Sequence, residues 1–154
     1  MTLPKFKEEQ HLVEFQDEGG SFRLTVNTLK AWEKMKAAAK LDGIHLYLVS
    51  AFRSISRQSK IVENKKKKGI SEEDIFRVNQ PPGYSEHHTG RAIDINTKGF
   101  PPLEKEFENS DAFDWLSANA KDFGFRLSYP EENKYGIAYE PWHWFNEENA
   151  QQVA

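Results

Sequence analysis

A helical pattern recurs at three- and four-residue steps through Leu29, Trp32, Met35 or Lys36, and Ala39, which predicts a helix over residues 25–40 with Gly43 at its C-terminal cap. Trp32 lies on that apolar stripe and is assigned to the core rather than to ligand stacking. Leu46, Leu48 and Ser50 then alternate with Tyr47, Val49 and Ala51, the pattern of a strand over residues 44–52. A second helix is predicted over 55–68, with Ile55, Gln58 or Ser59, and Val62 on one side and Gly69 as cap. Ser71, followed by Glu72, Glu73 and Asp74, opens a short helical stretch. Alternation returns at 91–96, with Ile93 and Ile95 on one face and Ala92, Asp94 and Asn96 on the other. Ser110 caps a helix reaching about Phe123, with Phe113, Leu116 and Ala120 inward and Gly124 as its stop. Short strands are expected at 125–127, 135–139 and 140–145.

Helices followed by short hairpin-type strands predict an α+β fold, one compact domain in which helices pack on an antiparallel sheet. Residues 1–24 are polar and charged and form an N-terminal segment free to pack on the domain. Residues 25–146 make the domain itself, and 147–154 a tail.

Composition narrows the chemistry. A chain of 154 residues suits a single core, and a net charge of -3 offers no basic footprint, so nucleic acid is excluded as a partner. No apolar run approaches membrane-spanning length, and no apolar region of a signal peptide follows Met1. Cysteine is absent, which rules out disulfides and thiolate metal sites and leaves His, Asp and Glu as ligands for zinc. The run Lys65-Lys66-Lys67-Lys68 is read as a solvated helix end that favours the helix dipole.

The informative stretch is Pro81-Pro82-Gly83-Tyr84-Ser85-Glu86-His87-His88-Thr89-Gly90, a turn-rich loop leading into the strand that holds Asp94. A carboxylate in a strand with a strongly apolar opposite face needs a partner, and His87 can fold back to meet it. One imidazole and one carboxylate converging in this way make two-thirds of a catalytic zinc site. The remaining group lies in Tyr139-Glu140-Pro141-Trp142-His143-Trp144-Phe145. Pro141 pushes Glu140 toward extended geometry, so Glu140 and His143 reach one metal only if the chain bends there.

Ser85-x-His87-x-x-Gly90-x-Ala92-x-Asp94 followed by Glu140-x-x-His143 resembles the signature of the VanY-type D-alanyl-D-alanine carboxypeptidases. These zinc peptidases are related to the VanX dipeptidases and to the metal-binding domain of Hedgehog proteins. Ser50-Ala51-Phe52-Arg53-Ser54 with Gln58 resembles a further block of the family, Ala51 and Phe52 standing where Gly and Tyr are usual. Three blocks in order over residues 25–146 make a specific signal.

The resemblance implies zinc held by His87, Asp94 and His143 on one face of the sheet, with water in the fourth position. His88 is expected beside the site rather than in it, because the side chains of adjacent residues diverge. Glu140 would serve as general base, and Arg53 would stabilise the scissile carbonyl oxygen or hold a substrate carboxylate. Ser85 and Gln58 are the expected remaining donors for a terminal carboxylate. The implied reaction is release of terminal D-alanine from a peptidoglycan stem peptide, of D,D or L,D type, by a monomer. Two alternatives are a peptidoglycan endopeptidase of phage or autolysin type, and a zinc-binding module without catalysis. The substrate implies the cell envelope or periplasm, whereas a complete chain without an export signal would be cytoplasmic.

Overall fold

The computed structural model describes residues 3–147. A hairpin of β1 (Val13–Asp17) and β2 (Gly20–Leu24) comes first, then α1 (Val26–Leu41), β3 (Tyr47–Ser50), α2 (Ile55–Lys67) and α3 (Glu72–Val78). β4 (Ala92–Asn96), α4 (Asp111–Asn119), β5 (Phe125–Leu127) and β6 (His143–Asn146) complete the order. The main sheet has strand order β3-β4-β6-β5, and every neighbouring pair is antiparallel. The expected α+β architecture is therefore the one observed.

Each helix begins where a hydroxyl can satisfy its first orphan amides. Thr25, Ser54, Ser71 and Ser110 accept from the backbone N–H three residues on. Helix α1 buries Thr28, Ala31, Trp32, Met35 and Ala39 against the sheet. Trp32, Met35, Leu48, Ile93, Ile95, Leu116, Phe125 and Trp144 form one cluster, so the apolar face read at Ile93 and Ile95 is the core face. All five residues of β4 are buried, because its other face is covered too, by the functional site.

Three sequence expectations shift. The strand expected over 44–52 shortens to β3, since Ile44 N–H bonds back to Ala39 and Phe52 N–H leaves for the Arg23 carbonyl. Residues 135–139 form an irregular arm instead of a strand. There the Asn133 side chain accepts from the amides of Tyr135 and Ile137 and donates to the Ile137 carbonyl, while Gly136 takes a positive φ of 67°. These local bonds replace a strand ladder. The strand expected from Glu140 starts only at His143, after a turn in which His143 N–H donates to the Glu140 carbonyl at 3.2 Å.

The hairpin was not read from sequence. Its tip docks through Asp17, which bonds Lys36 Nζ of α1 at 2.8 Å and accepts from Leu48 N–H of β3 at 2.9 Å. Upstream, residues 3–12 run across the loop before β4: Phe6 N–H donates to the Gly83 carbonyl and Glu9 N–H to the His88 carbonyl. Glu8 Oε1 accepts from Ile55 N–H at 2.7 Å, at the start of α2. Of the predicted tail, residues 148–154 lie outside the described residues. Among the described residues no helix is long and apolar enough to cross a membrane.

Candidate metal centre

Strand register brings the site together. Ser50 lies opposite Asp94, and Asp94 lies opposite His143, so one residue from each of three neighbouring strands forms a row across one face. The turn at Glu140–His143 supplies the bend near Pro141 that the sequence required, and it places Glu140 beside this row.

The loop before β4 delivers the second imidazole. Ser85 Oγ accepts from His87 N–H at 3.1 Å and caps a single 3-10 turn, Glu86–Thr89, which Gly90 ends in the left-handed region at φ 69°. A 3-10 turn advances about 120° per residue, so three consecutive side chains fan out in three directions. His87 points at Asp94. His88 turns away: its Nδ1–H donates to the Arg53 carbonyl at 2.8 Å, and its Nε2 accepts from Gly83 N–H at 3.1 Å. Glu86 points at His143, with Oε1 2.8 Å from Nε2.

His87, Asp94 and His143 are all buried, and their ligand-capable atoms lie within 4.8 Å of one another. Asp94 Oδ2 stands 3.2 Å from His87 Nε2, and Asp94 Oδ1 stands 3.1 Å from His143 Nδ1. Each imidazole is held from behind on its other nitrogen. His87 Nδ1–H donates to the Ala51 carbonyl at 2.7 Å, and His143 Nε2–H donates to Glu86. Such backing fixes the tautomer and ring direction and raises ligand basicity. Two imidazoles and one carboxylate with the correct nitrogens turned inward fit a zinc ion with one open coordination position.

Burial and paired charges shift the titratable groups of this row. Burial would raise the Asp94 carboxyl, but the two imidazoles hold it well below the usual range. Burial lowers His87, and Arg53 pushes it the same way. Burial also opposes charge on His143, yet Asp94 and Glu86 raise it. Glu140 is 8% exposed, and burial pushes its carboxyl up to about 7, with Asp94 and Glu86 adding to the rise. Glu140 Oε1 sits 3.8 Å from His143 Nδ1, beyond hydrogen-bond distance of the atom that faces the metal position.

A cleft of about 580 Å³ opens over the row and is lined by Arg53, Gln58, His87, Asp94, Glu140 and His143 among others. Arg53 Nη1 donates to Gln58 Oε1 at 3.0 Å and Nη2 to Ser50 Oγ at 3.1 Å. The Gln58 amide also donates to the Gln80 carbonyl at 2.7 Å, so this residue holds its neighbours as well as lining the cleft. Ser85 is fully buried beneath the loop and is not part of the cleft lining. Trp142 lines the cleft and Trp144 packs in the core. His45 lies away from the site, paired with Glu18.

Glu86 and Ser128 were not singled out from sequence. Ser128 Oγ–H donates to Glu86 Oε1 at 2.6 Å, and Arg126 lies 3.6 Å from Glu86 Oε2. The one available signal was an acidic residue directly preceding a ligand within a tight turn. Burial opposes the Glu86 charge, and His143 and Ser128 keep its carboxyl below the usual range.

The family model for VanY, D-alanyl-D-alanine carboxypeptidase, matches residues 21–146. YodJ of Bacillus subtilis is 40% identical over 119 aligned residues, the match covering 73% of this chain and 42% of YodJ, so the chain spans less than half of that relative's length. The solved structure of the LD-carboxypeptidase LdcB superposes with a TM-score of 0.78 at 30% identity, covering 97% of this chain and 75% of LdcB. A variant of the vancomycin resistance D,D-pentapeptidase VanY in complex with Zn(II) superposes with a TM-score of 0.73 at 26% identity, covering 95% of this chain and 84% of that one.

Proposed function

The chain belongs to the VanY family of D-alanyl-D-alanine carboxypeptidases, and from that premise we propose that it is a zinc-dependent carboxypeptidase releasing terminal D-alanine from peptidoglycan stem peptides. The observation that carries this reading is the convergence of His87, Asp94 and His143 within 4.8 Å, with the free Glu140 carboxylate beside them. The VanY structure with Zn(II) supports zinc as the metal. His87 Nε2, Asp94 and His143 Nδ1 would hold it. A bound zinc ion supplies Lewis acidity and lowers the pKa of the attacking water toward neutrality.

The chain's own groups do the rest. Glu140 takes the proton of the water and returns it to the leaving amine, a task suited to a buried carboxylate beside the ligand row that is not itself needed as a ligand. Gln58 and Ser50 brace the Arg53 guanidinium from behind, which leaves further N–H groups of its five for the scissile carbonyl oxygen or a substrate carboxylate. Ser85 shapes the loop through its bond to His87 N–H, and its burial away from the cleft gives it a positioning role rather than a substrate contact. A cell-wall substrate puts the site of action at the cell envelope.

The test offers the zinc-loaded protein three peptides side by side: a pentapeptide ending in D-Ala-D-Ala, its C-terminal amide, and a tetrapeptide ending in a single D-alanine. Release of one D-alanine from the pentapeptide, with poor cleavage of the amide, supports a D,D-carboxypeptidase. Release from the tetrapeptide alone moves it to the L,D type, the activity named for LdcB. Equal cleavage of the amide, or a cut inside the stem, defeats the carboxypeptidase reading in favour of an endopeptidase.

A further inference from the structure

The four-lysine run at the end of α2 divides. Lys66 turns to Glu72, 2.9 Å away, whereas Lys65 lines the metal cleft. The reason is helical spacing: Lys65 follows Gln58 by seven residues, two turns on, so both share the stripe of α2 that faces the cleft. Lys65 has no carboxylate partner among the described residues. Burial and the charges of Lys68 and Arg53 all disfavour its ammonium. Arg53 and Lys65 thus both line one cleft, and Lys65 forms no ion pair with the carboxylates Asp94, Glu104 and Glu140 that line it too.

Gln80 faces the same space. It is 7% exposed and lines the cleft, and its Nε2 is buried without a hydrogen-bond partner. A buried amide donor left unpaired is costly, and completion by a bound ligand is one way to offset that cost. Gln58 donates to the Gln80 backbone carbonyl at 2.7 Å and so fixes the main chain from which this side chain projects. Glu104 and Lys105 also line the cleft.

We propose that Lys65 and Gln80 form a carboxylate-binding part of the cleft that selects substrates presenting a carboxylate there. The proposal rests on the peptidase reading above. The carboxylate has two sources, the C terminus of the peptide or a carboxylate-bearing side chain within it, and substrate pairs separate them.

Three peptides are used with zinc-loaded wild type, Lys65→Met, Lys65→Arg and Gln80→Met: one with L-lysine at its third position and a free C terminus, its C-terminal amide, and one with diaminopimelate in place of lysine. Zinc content, KM, kcat and equilibrium binding by calorimetry are measured for each. Lys65→Met is expected to raise KM and weaken binding about tenfold, the loss expected for one charge-assisted hydrogen bond, with kcat and zinc unchanged. Lys65→Arg should restore most of it, and Gln80→Met should show the same pattern more weakly. Loss on both free-acid peptides but not the amide assigns the C terminus; loss confined to the diaminopimelate peptide assigns the side chain. Equal loss on every peptide, or none, overturns the proposal. If wild type hydrolyses none of the peptides, the carboxypeptidase reading fails, and the binding titrations alone decide for or against Lys65 and Gln80.

Discussion

Glu86 holds His143 by the nitrogen that faces away from the metal position, with Oε1 and Nε2 2.8 Å apart and both residues buried. The contact leaves Nδ1 turned toward Asp94, and Ser128 secures the carboxylate in turn. Glu86→Gln keeps the shape and removes the charge that makes the imidazole a stronger donor. Its zinc affinity should fall about 10–100-fold, measured by competition with a chromophoric chelator, while the thermal stability of the metal-free protein changes little. Unchanged affinity would show that His143 is held without Glu86.

The adjacent histidines should separate cleanly. Changing His87, Asp94 or His143 to Ala should empty the site in metal analysis. His88→Ala should keep its zinc and lose stability instead, because the ring satisfies both the Arg53 carbonyl and the Gly83 amide. The expected loss is about 2 kcal/mol in denaturant unfolding. Zinc loss in His88→Ala with retention in His87→Ala would reverse the ligand assignment.

Glu140 is predicted to trade stability for catalysis. Its folded-state pKa of about 7 lies above the unfolded value of 4.5, so the unfolded chain ionises first. Stability contributed by the protonated form is present below pH 4.5 and is lost as pH rises through about 7. Glu140→Gln should therefore stabilise the metal-free protein at pH 8 by up to about 3 kcal/mol, from a shift worth about 1.4 kcal/mol per pKa unit. The same change should lower turnover by about 100-fold or more while zinc is retained. Thermal melts of both proteins at pH 4 and pH 8, with metal analysis, check the pair of effects. Loss of zinc in Glu140→Gln would make Glu140 a ligand.

Gly90 ends the metal loop at φ 69°, and a Cβ there would meet Leu12 Cδ2 at 2.5 Å. Gly90→Ala should destabilise the protein by about 1–2 kcal/mol through backbone strain, with the crowding at Leu12 adding to it. Equilibrium unfolding reads the loss. Stability equal to wild type would mean that the loop ends in another conformation.

Much of the site was legible because its chemistry repeats at short range. The alternation around Asp94 gave the face, the turn residues before it gave a loop for His87, and Pro141 demanded the bend found between Glu140 and His143. Glu86 was not legible, since its partners His143 and Ser128 stand 57 and 42 residues away in the chain. Lys65 was hidden in a run whose average behaviour is solvation, and only the phase of α2 singles it out. The arm at 135–139 misled for the opposite reason: Tyr135, Ile137 and Tyr139 alternate as in a strand, but Asn133 satisfies the local backbone first. The β1–β2 hairpin does carry a pattern, Val13 and Phe15 alternating before the Asp17–Gly20 turn and Phe22 and Leu24 after it, which the polar composition of residues 1–24 masked. The docking of Asp17 on Lys36 and Leu48 depends instead on residues outside that span.

The crossing of residues 3–12 over the metal loop makes the opening of that loop a cooperative event. Phe6 and Glu9 close the Gly83 and His88 carbonyls, and Glu8 closes the first amide of α2. Freeing the loop therefore requires peeling away a segment that lies outside the 21–146 span of the family match. Release of a metal held by His87 is therefore expected to slow while this segment, which supplies no residue to the site, stays docked. The Phe6 and Glu9 amides report that detachment directly: their hydrogen exchange should quicken in step with zinc release when Glu8 is changed to Ala.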